Sequence, residues 1–589
     1  MARTAADDLW DMLAQAGVKR VYGIVGDALN PTLDALTRHD DIEFIHVRHE
    51  EWGAFAASAE AQLTGEPVAV CGTAGPGVTH LLNGLLDAKH ARPVIAIAGD
   101  VDTEVIDTGV VEEVNPYDLF RTASLYTGRA VNPKQAPTVF SQALTIATEK
   151  HGPTVVALPG DVSASESPHK QAPAFTPAHT SVLTPASEDV QAVADLVNDA
   201  EKVVIFGGEG ARGGAAQTIE LGQKLAAPIG YTLKAKNFLE VGNPNAAGMT
   251  GLLGYGGLHA SIVDADVVLL LGTDFPFPGF LDRGEGKIIQ VDRDPEVLGR
   301  RVELEMGLAA DVRAFVDALL PLVRQKTDTA FLDAALKENE KSHKKAMAYV
   351  KDGEQHTSIR PEFLAATLNE LMSDDAILAV DTGTPVMWVS HQMTFGGQHH
   401  QFGSYSWASM ANASPYGFGA ALACPGRQVV TMCGDGGFQM LALGDLLTEI
   451  EHKTPVVHIV LNNSKLDFVE IEMQEAGQNP AGRASRRPTT RRSLKPSVPR
   501  ASGSKTPSRC ANSSRKRSLM QADRPLSMSL SMTEPSCCPR RSMPQWSRPL
   551  ARASSAGPPP VKSPNCGKRP RTIFGCCKRK RRCFRCSGC

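Results

Sequence analysis

Two hydrophobic periods alternate along the chain. Short, near-continuous apolar runs occur at Phe44–Val47, Val68–Cys71, Pro93–Gly99 and Thr154–Pro159. Runs of this length read as strands buried on both faces. Between them, apolar residues fall at helical spacing, as in Ala5–Gly17 and Trp52–Leu63. Strands alternating with helices predict a parallel sheet covered on both faces. The alternation returns at Val203–Phe206, Ile229–Leu233, Val267–Gly272 and Ile288–Asp292, and again at Ala376–Asp381, Gln428–Cys433 and Pro455–Leu461. Residues 163–188, rich in Ser, Pro and Thr, read as a linker. Charged helical sequence around Arg324–Lys351 separates the second and third units. The expected fold class is α/β: three doubly wound parallel-sheet domains at 1–162, 189–326 and 360–477, with linkers at 163–188 and 327–359.

The pattern breaks after Gly477. Residues 478–589 hold 27 Lys and Arg against 2 acidic residues, with 19 Ser and 15 Pro in 112 positions. The first 477 residues carry 34 basic and 62 acidic residues, so the overall net charge of −3 describes neither part. Such a tail buries too little apolar surface to offset chain entropy, and disorder is expected. A natural basic arm is one explanation. A shifted reading frame accounts better for a change that is abrupt, falls inside a domain and lasts to the end. The third domain is then incomplete, and the chain as written is expected to be unstable or inactive.

Charge and cysteine narrow the class further. The acidic body argues against a specific nucleic-acid partner. The N-terminus lacks the pattern of a secretory signal, and no stretch approaches the ~18 apolar residues of a spanning helix, so a cytoplasmic protein is expected. Only Cys71, Cys424 and Cys433 lie in the body, which suits a reducing compartment. The tail cysteines Cys576, Cys577, Cys583, Cys586 and Cys589 lack the folded frame that a zinc site needs.

The strongest chemistry lies in the third unit. A strand runs into Gly434-Asp435-Gly436-Gly437-Phe438, and a second strand ends at Asn462-Asn463, with Asn463 28 residues after Asp435. Parallel sheets place ligands at the carboxyl ends of their strands. An Asp and an Asn there offer oxygen ligands to Mg²⁺, which commonly shares its coordination with substrate phosphates. The glycines let backbone N–H groups approach those phosphates. In the middle unit, Gly208-Glu209-Gly210-Ala211-Arg212-Gly213 matches a dinucleotide turn, but the next strand leads to Lys234 rather than to an acid. A nicotinamide cofactor is therefore disfavoured.

These motifs resemble those of the thiamine-diphosphate-dependent pyruvate oxidase family, its quinone-dependent pyruvate dehydrogenases in particular. Further likeness lies in Val47-Arg48-His49-Glu50, in Gly72-Thr73-Ala74-Gly75-Pro76-Gly77 with Asn83-Gly84, in Val21–Asp27, in Gly248–Gly254, and in Gly403-Ser404-Tyr405 leading to Ser409-Met410-Ala411-Asn412. The resemblance covers about residues 4–477. It implies a pyrimidine-binding, an FAD-binding and a diphosphate-binding domain, in that order, with thiamine diphosphate, Mg²⁺ and FAD as cofactors.

Residue by residue, the resemblance makes Glu50 the group that hydrogen-bonds the aminopyrimidine. Met410 is the apolar residue that holds the cofactor bent, and Phe468 the aromatic of the following loop. Gly26, Asp27, Gly75, Gly77, Asn83, Ser406, Trp407, Ala408, Asp435, Gly436, Gly437 and Asn463 would contact thiamine diphosphate. Asp435, Asn463 and the carbonyl of Lys465 would bind Mg²⁺. FAD would lie against Gly251, Leu252, Leu253 and Gly254, against Thr273, Asp274, Phe275, Pro276, Phe277 and Pro278, and against Asp292 and Asp311. Asp311 reads equally well as a helix N-cap.

The implied reaction is oxidative decarboxylation of pyruvate, or a similar small 2-oxo acid, to acetate and CO₂ through the thiamine ylid, with electrons passing through FAD to a quinone. The implied assembly is a homodimer or homotetramer, its site shared between the first domain of one subunit and the third of its partner, with peripheral membrane contact. Two departures weaken the substrate assignment: Val111-Glu112-Glu113, which adds a carboxylate, and Lys465 with Asp467, where relatives are apolar or Gly. Acetolactate synthase, a decarboxylase without redox chemistry, and a non-catalytic binding protein remain alternatives. Sequencing the gene across codons 470–485 and onward is expected to reveal a second frame that continues the apolar strand-and-helix pattern; no other open frame would make the basic tail genuine.

Overall fold

The computed structural model describes residues 2–89, 92–171, 173–177, 181–281, 284–479 and 527–531. The first domain is built on β1 (Arg20–Gly23), β2 (Glu43–His46), β3 (Val68–Gly72), β4 (Val94–Asp100), β5 (Tyr126–Arg129) and β6 (Thr154–Pro159). They form one parallel sheet in the order β2-β1-β3-β4-β6-β5. Every residue of β3, β4 and β6 is buried, as continuous apolar runs require. The short strands β1 and β5, RVYG and YTGR, are half polar and lie below the signal that period alone provides.

The second domain holds β7 (Val203–Gly207), β8 (Ile229–Tyr231), β9 (Ala246–Met249), β10 (Tyr255–Gly256), β11 (Val267–Leu271), β12 (Lys287–Asp292) and β13 (Met306–Ala309), in the order β10-β9-β8-β7-β11-β12-β13. Its pairings are parallel except for the two-residue β10. The third domain holds β14 (Ile377–Val380), β15 (His400–Phe402), β16 (Val429–Gly434), β17 (Val456–Asn462) and β18 (Ser527–Ser531), parallel throughout in the order β15-β14-β16-β17-β18.

Beyond residue 479 the described residues are Ser527–Ser531, which form β18. His458 to Asn462 of β17 pair in register with Ser527 to Ser531. An edge strand presents a row of unpaired backbone groups, and an extended segment satisfies them whatever its composition. The rest of the tail from residue 480, its cysteines included, lies outside the described residues. Among the described residues no helix is long and apolar enough to cross a membrane.

Part of the 163–188 segment is strapped to the first domain. Ser167 Oγ donates to Asp8 at 2.6 Å, Phe175 N–H donates to Gln15 at 2.9 Å, and the Phe175 ring is buried in the first core. The charged stretch before the third domain forms the helix Ala330–Ala348.

The first and third domains meet helix to helix, Glu50–Thr64 against Ala413–Ala423. The approach is close because Gly419 lacks a side chain: a Cβ there would collide with the Ala56 carbonyl. On another face of Glu50–Thr64, Gly84 of the first-domain helix Leu82–Ala88 packs on Ala54 in the same way. The apolar partners interlock: Phe418 of the third domain is buried in a first-domain cluster, 4.9 Å from Trp52, while Phe55 is buried among third-domain residues. Beside them is a wholly buried polar knot. Arg92 pairs with Asp87 and donates to Tyr416 Oη and, at 2.7 Å, to Ser58 Oγ; Ser58 donates to Asp87 at 2.9 Å. Removing Asp87 leaves the Arg92 guanidinium buried without its counter-charge, at about 3–5 kcal/mol. Asp87→Ala is therefore expected to unfold well below the native chain in a thermal or urea melt, whereas an unchanged midpoint would show that the knot carries no stability.

Candidate active site

Glu50 opens its helix, with His49 as the N-cap, and is buried. Its Oε2 lies 2.8 Å from His80 Nδ1, and the rings of His80 and His49 stack at 4.4 Å. Gly77 faces it from the glycine loop; a Cβ there would sit 3.2 Å from Glu50 Oε1. Gly75 has φ +65° and abuts Glu112, so its turn demands a glycine. Gly26 packs on Thr73, whose Oγ1 donates to Asp27 at 3.1 Å. His80 carried no motif signal of its own, although it lies between the glycine loop and Asn83. The extra acids of the 111–113 loop are partly consumed there, since Glu113 accepts the N–H of Gly109 at 2.7 Å and that of Asp107.

Asn83 links this corner to the third domain. Its amide donates to Glu51 at 2.7 Å and to Ser409 at 3.0 Å, and it accepts from Trp407 Nε1 at 2.6 Å. Ser406, Trp407 and Ala408 form an exposed loop in which Ala408 has φ +60°. Met410 follows, and a Cβ built on Gly436 would lie 3.5 Å from Met410 Cε and 2.7 Å from Leu466 Cδ2. Met410 and the glycine turn therefore share one space.

Asp435 and Asn463 stand at adjacent strand ends, as expected. Asp435 is buried, and its Oδ2 accepts from Ser464 N–H at 3.2 Å. Burial pushes its pKa up, against the backbone N–H groups that lower it. Asn463 Oδ1 accepts from Lys465 N–H at 3.0 Å. A buried carboxylate beside an amide oxygen and a turn is a hard-oxygen donor set that suits Mg²⁺. Phe468 is half-buried in the first turn of the helix Asp467–Glu475.

Asp381 escaped the motif reading, although it ends its strand as Asp435 does. It is buried, and its Oδ1 accepts from Asn412 N–H at 3.2 Å and from Asn412 Nδ2 at 3.1 Å. Its Oδ2 has no hydrogen-bond partner and presses on Gly437. It therefore braces both the Met410 loop and the glycine turn. Burial pushes its pKa up to about 7.

In the central domain, Gly251 has φ +94° and packs on Phe275 and Phe277, while Gly254 N–H closes the turn onto Gly251 at 2.9 Å. Leu252 and Phe277 remain exposed, Thr273 is buried, and the Leu253 carbonyl lies 3.2 Å from His391 Nε2. Pro276 and Pro278 are exposed on either side of Phe277. Asp292 ends β12 and accepts from Asp294 N–H at 3.0 Å. Asp274 is committed to ion pairs with Arg300 and Arg301, the latter at 2.7 Å. Asp311 caps Val312–Leu319, accepting from Ala314 N–H at 3.1 Å. Two glycines of the Gly208–Gly213 turn are spent on close packing: Gly208 and Gly210 press on Gly272.

Comparison with known proteins agrees with this geometry. Residues 3–119, 190–319 and 381–501 match the N-terminal thiamine pyrophosphate-binding, central and C-terminal thiamine pyrophosphate-binding domains of thiamine pyrophosphate enzymes. The putative thiamine pyrophosphate-containing protein YdaP of Bacillus subtilis is 34% identical over 81% of this chain and 82% of its own length. The chain belongs to the thiamine pyrophosphate enzyme family. Within it, pyruvate oxidase of Lactiplantibacillus plantarum is 31% identical over 79% of this chain and 77% of its own. An uncharacterized 42.6 kDa protein of Pseudomonas amyloderamosa is 44% identical over 57% of this chain and 85% of its own. The third domain match runs past the compositional break at residue 477, to residue 501.

Within one chain, the first and third domains are thus in contact through Asn83, Trp407 and Ser409. Asp381 supplies a test of the bracing. Its folded pKa of about 7 lies above its ordinary 3.8, so the folded chain keeps a proton that the unfolded chain releases across that window. Stability from this group therefore falls as pH rises from about 4 to 7. Asp381→Asn is neutral throughout, and denaturation midpoints across that range are expected to show the variant gaining on the native chain as pH rises. Parallel curves would place the carboxyl outside that titration.

Proposed function

We propose that this enzyme decarboxylates pyruvate, or a similarly small 2-oxo acid, oxidatively to acetate and CO₂, with thiamine diphosphate, Mg²⁺ and FAD, and passes the electrons to a quinone. The observation that carries this reading is the junction itself. Buried Glu50 stands on one side and the Asp435–Gly437 turn, with Met410 against it, on the other, and Asn83 bridges to the loop between them.

When bound, thiamine diphosphate supplies the electron sink for loss of CO₂ and FAD accepts an electron pair. The chain positions them. Asp435, Asn463 and the Lys465 carbonyl would hold the metal, and the N–H groups of Gly436 and Gly437 the diphosphate. Gly26, Asp27, Gly75, Gly77 and Asn83 would line the first-domain side. Glu50, which already shares a hydrogen bond with His80, would hold the proton at the aminopyrimidine ring. Met410 would wedge the cofactor, with Ser406–Ala408 along its pyrimidine end and Phe468 closing the substrate side. The exposed Leu252 and Phe277 beside the Gly251 turn suit the face of a planar ring, and Asp292 at its strand end suits a ribose hydroxyl. These features support FAD in the central domain.

The remaining parts of the reading are broader. Met440, Leu443, Leu447 and Ile450 leave an apolar stripe exposed on one helix, which supports a homodimer or homotetramer. A quinone acceptor implies a cytoplasmic enzyme that touches the membrane peripherally. The compositional break supports a shifted frame in 478–589, and with it weakened or lost catalysis in the chain as written.

Anaerobic pyruvate added to the chain loaded with thiamine diphosphate, Mg²⁺ and FAD is expected to bleach the flavin in a single turnover, and Glu50→Gln to prevent it. Release of CO₂ without bleaching would instead identify a decarboxylase or acetolactate synthase. Neither signal would identify an inactive product.

A further inference from the structure

Lys234 is a cation without an acid of its own. It follows β8 in the central domain, and its Nζ donates to Ser406 Oγ of the third domain at 2.6 Å. Two carboxylates exert a favourable field on it, Glu209 and Asp87. Each already has a partner: Glu209 pairs with Arg212 at 2.7 Å, and Asp87 pairs with Arg92. Arg92 in turn repels Lys234. Three cations thus meet two carboxylates, and one positive charge is left over. Burial first, and Arg92 second, push the Lys234 pKa down to about 8. An anion arriving beside such a group offsets a desolvation cost that the fold has already met.

The backbone that carries Lys234 is held in place on both sides. Gln401 Nε2 donates to the Leu233 carbonyl at 2.8 Å, Asn237 Nδ2 donates to the Gln401 carbonyl at 2.8 Å, and Gln401 N–H donates to Asn237 Oδ1 at 3.0 Å. The residues flanking Lys234 are therefore pinned to β15. Ser406 leads directly into Trp407, which donates to Asn83 of the first domain. The surplus charge thus stands where all three domains meet, against the loop assigned above to the pyrimidine end of the cofactor.

We propose that Lys234 and Ser406 form a subsite for one oxyanion group, a carboxylate or phosphate oxygen, of a ligand bound at the three-domain junction. This rests on the junction being the catalytic cleft. The oxyanion comes either from the 2-oxo acid or from the phosphates of FAD, and binding distinguishes the two. Lys234→Met keeps the stem and removes the charge, whereas Lys234→Arg keeps the charge. Binding to the full chain is measured without turnover: pyruvate by calorimetry in the absence of thiamine diphosphate, and FAD and thiamine diphosphate by equilibrium dialysis.

Losing one charge-assisted hydrogen bond is expected to weaken a single ligand about 10- to 100-fold in Lys234→Met, with recovery in Lys234→Arg. Weakening of pyruvate alone assigns the subsite to the substrate carboxylate. Weakening of FAD alone assigns it to a cofactor phosphate. Native-like binding of all three ligands by Lys234→Met overturns the subsite and leaves the cleft standing. Equal weakening of all three reflects a loosened junction and also overturns it. A native chain that binds neither pyruvate nor thiamine diphosphate overturns the cleft reading and the subsite together.

Discussion

The close approach of two helices is the constraint on which the rest of the molecule depends. Glu50–Thr64 and Ala413–Ala423 touch at backbone distance because Gly419 presents no Cβ to Ala56. Glu50 is the first residue of one helix, and Met410 lies three residues before the other. On the proposed reading, helix-to-helix distance therefore sets the distance between Glu50 and Met410. A larger residue at Gly419 would push the domains apart by the width of a side chain, and hydrogen bonds such as Trp407 to Asn83 tolerate only a few tenths of an ångström. Core packing and active-site geometry are here one requirement.

Charge follows a related logic. The junction buries Arg92 with Asp87, Ser58 and Tyr416 in a fully partnered set, as a dry interior demands. Nearby, three groups are left incompletely satisfied. Asp435 accepts backbone N–H groups but has no cation in ion-pair contact among the described residues. Asp381 has an idle oxygen, and Lys234 has only a hydroxyl. Charged groups that are withdrawn from water and only partly partnered are costly unless ligands of the opposite charge arrive. On the proposed reading, stability yielded here is the counterpart of affinity for a cation and an anion.

Much of this was legible in the sequence. Fully buried strands announce themselves as continuous apolar runs, and all eleven expected strands appear with ends shifted by a residue or two. The Gly-Asp-Gly-Gly turn and the Asn pair could be placed because a parallel sheet brings its strand ends together. Strands such as β1, β5 and β15 were not legible, because three or four half-polar residues carry almost no period. His80, Asp381 and Lys234 were not legible as site residues, since each acquires its role from a partner 30 or more positions away: Glu50, Asn412 and Ser406. The strand at Ser527–Ser531 was missed for a third reason. Composition argues about burial, while an open sheet edge asks only for an extended backbone.

The most direct measurement is deuterium exchange at C2 of thiamine diphosphate bound to the full chain with Mg²⁺, read by proton NMR after acid quenching. If Glu50 is the group that activates the cofactor across this junction, exchange is faster in the native chain than in Glu50→Gln by about 10²–10⁴-fold, with the cofactor retained in both. Equal exchange in the two chains, with the cofactor bound, would contradict the placement of Glu50 at the reacting ring and the catalytic reading of the junction with it.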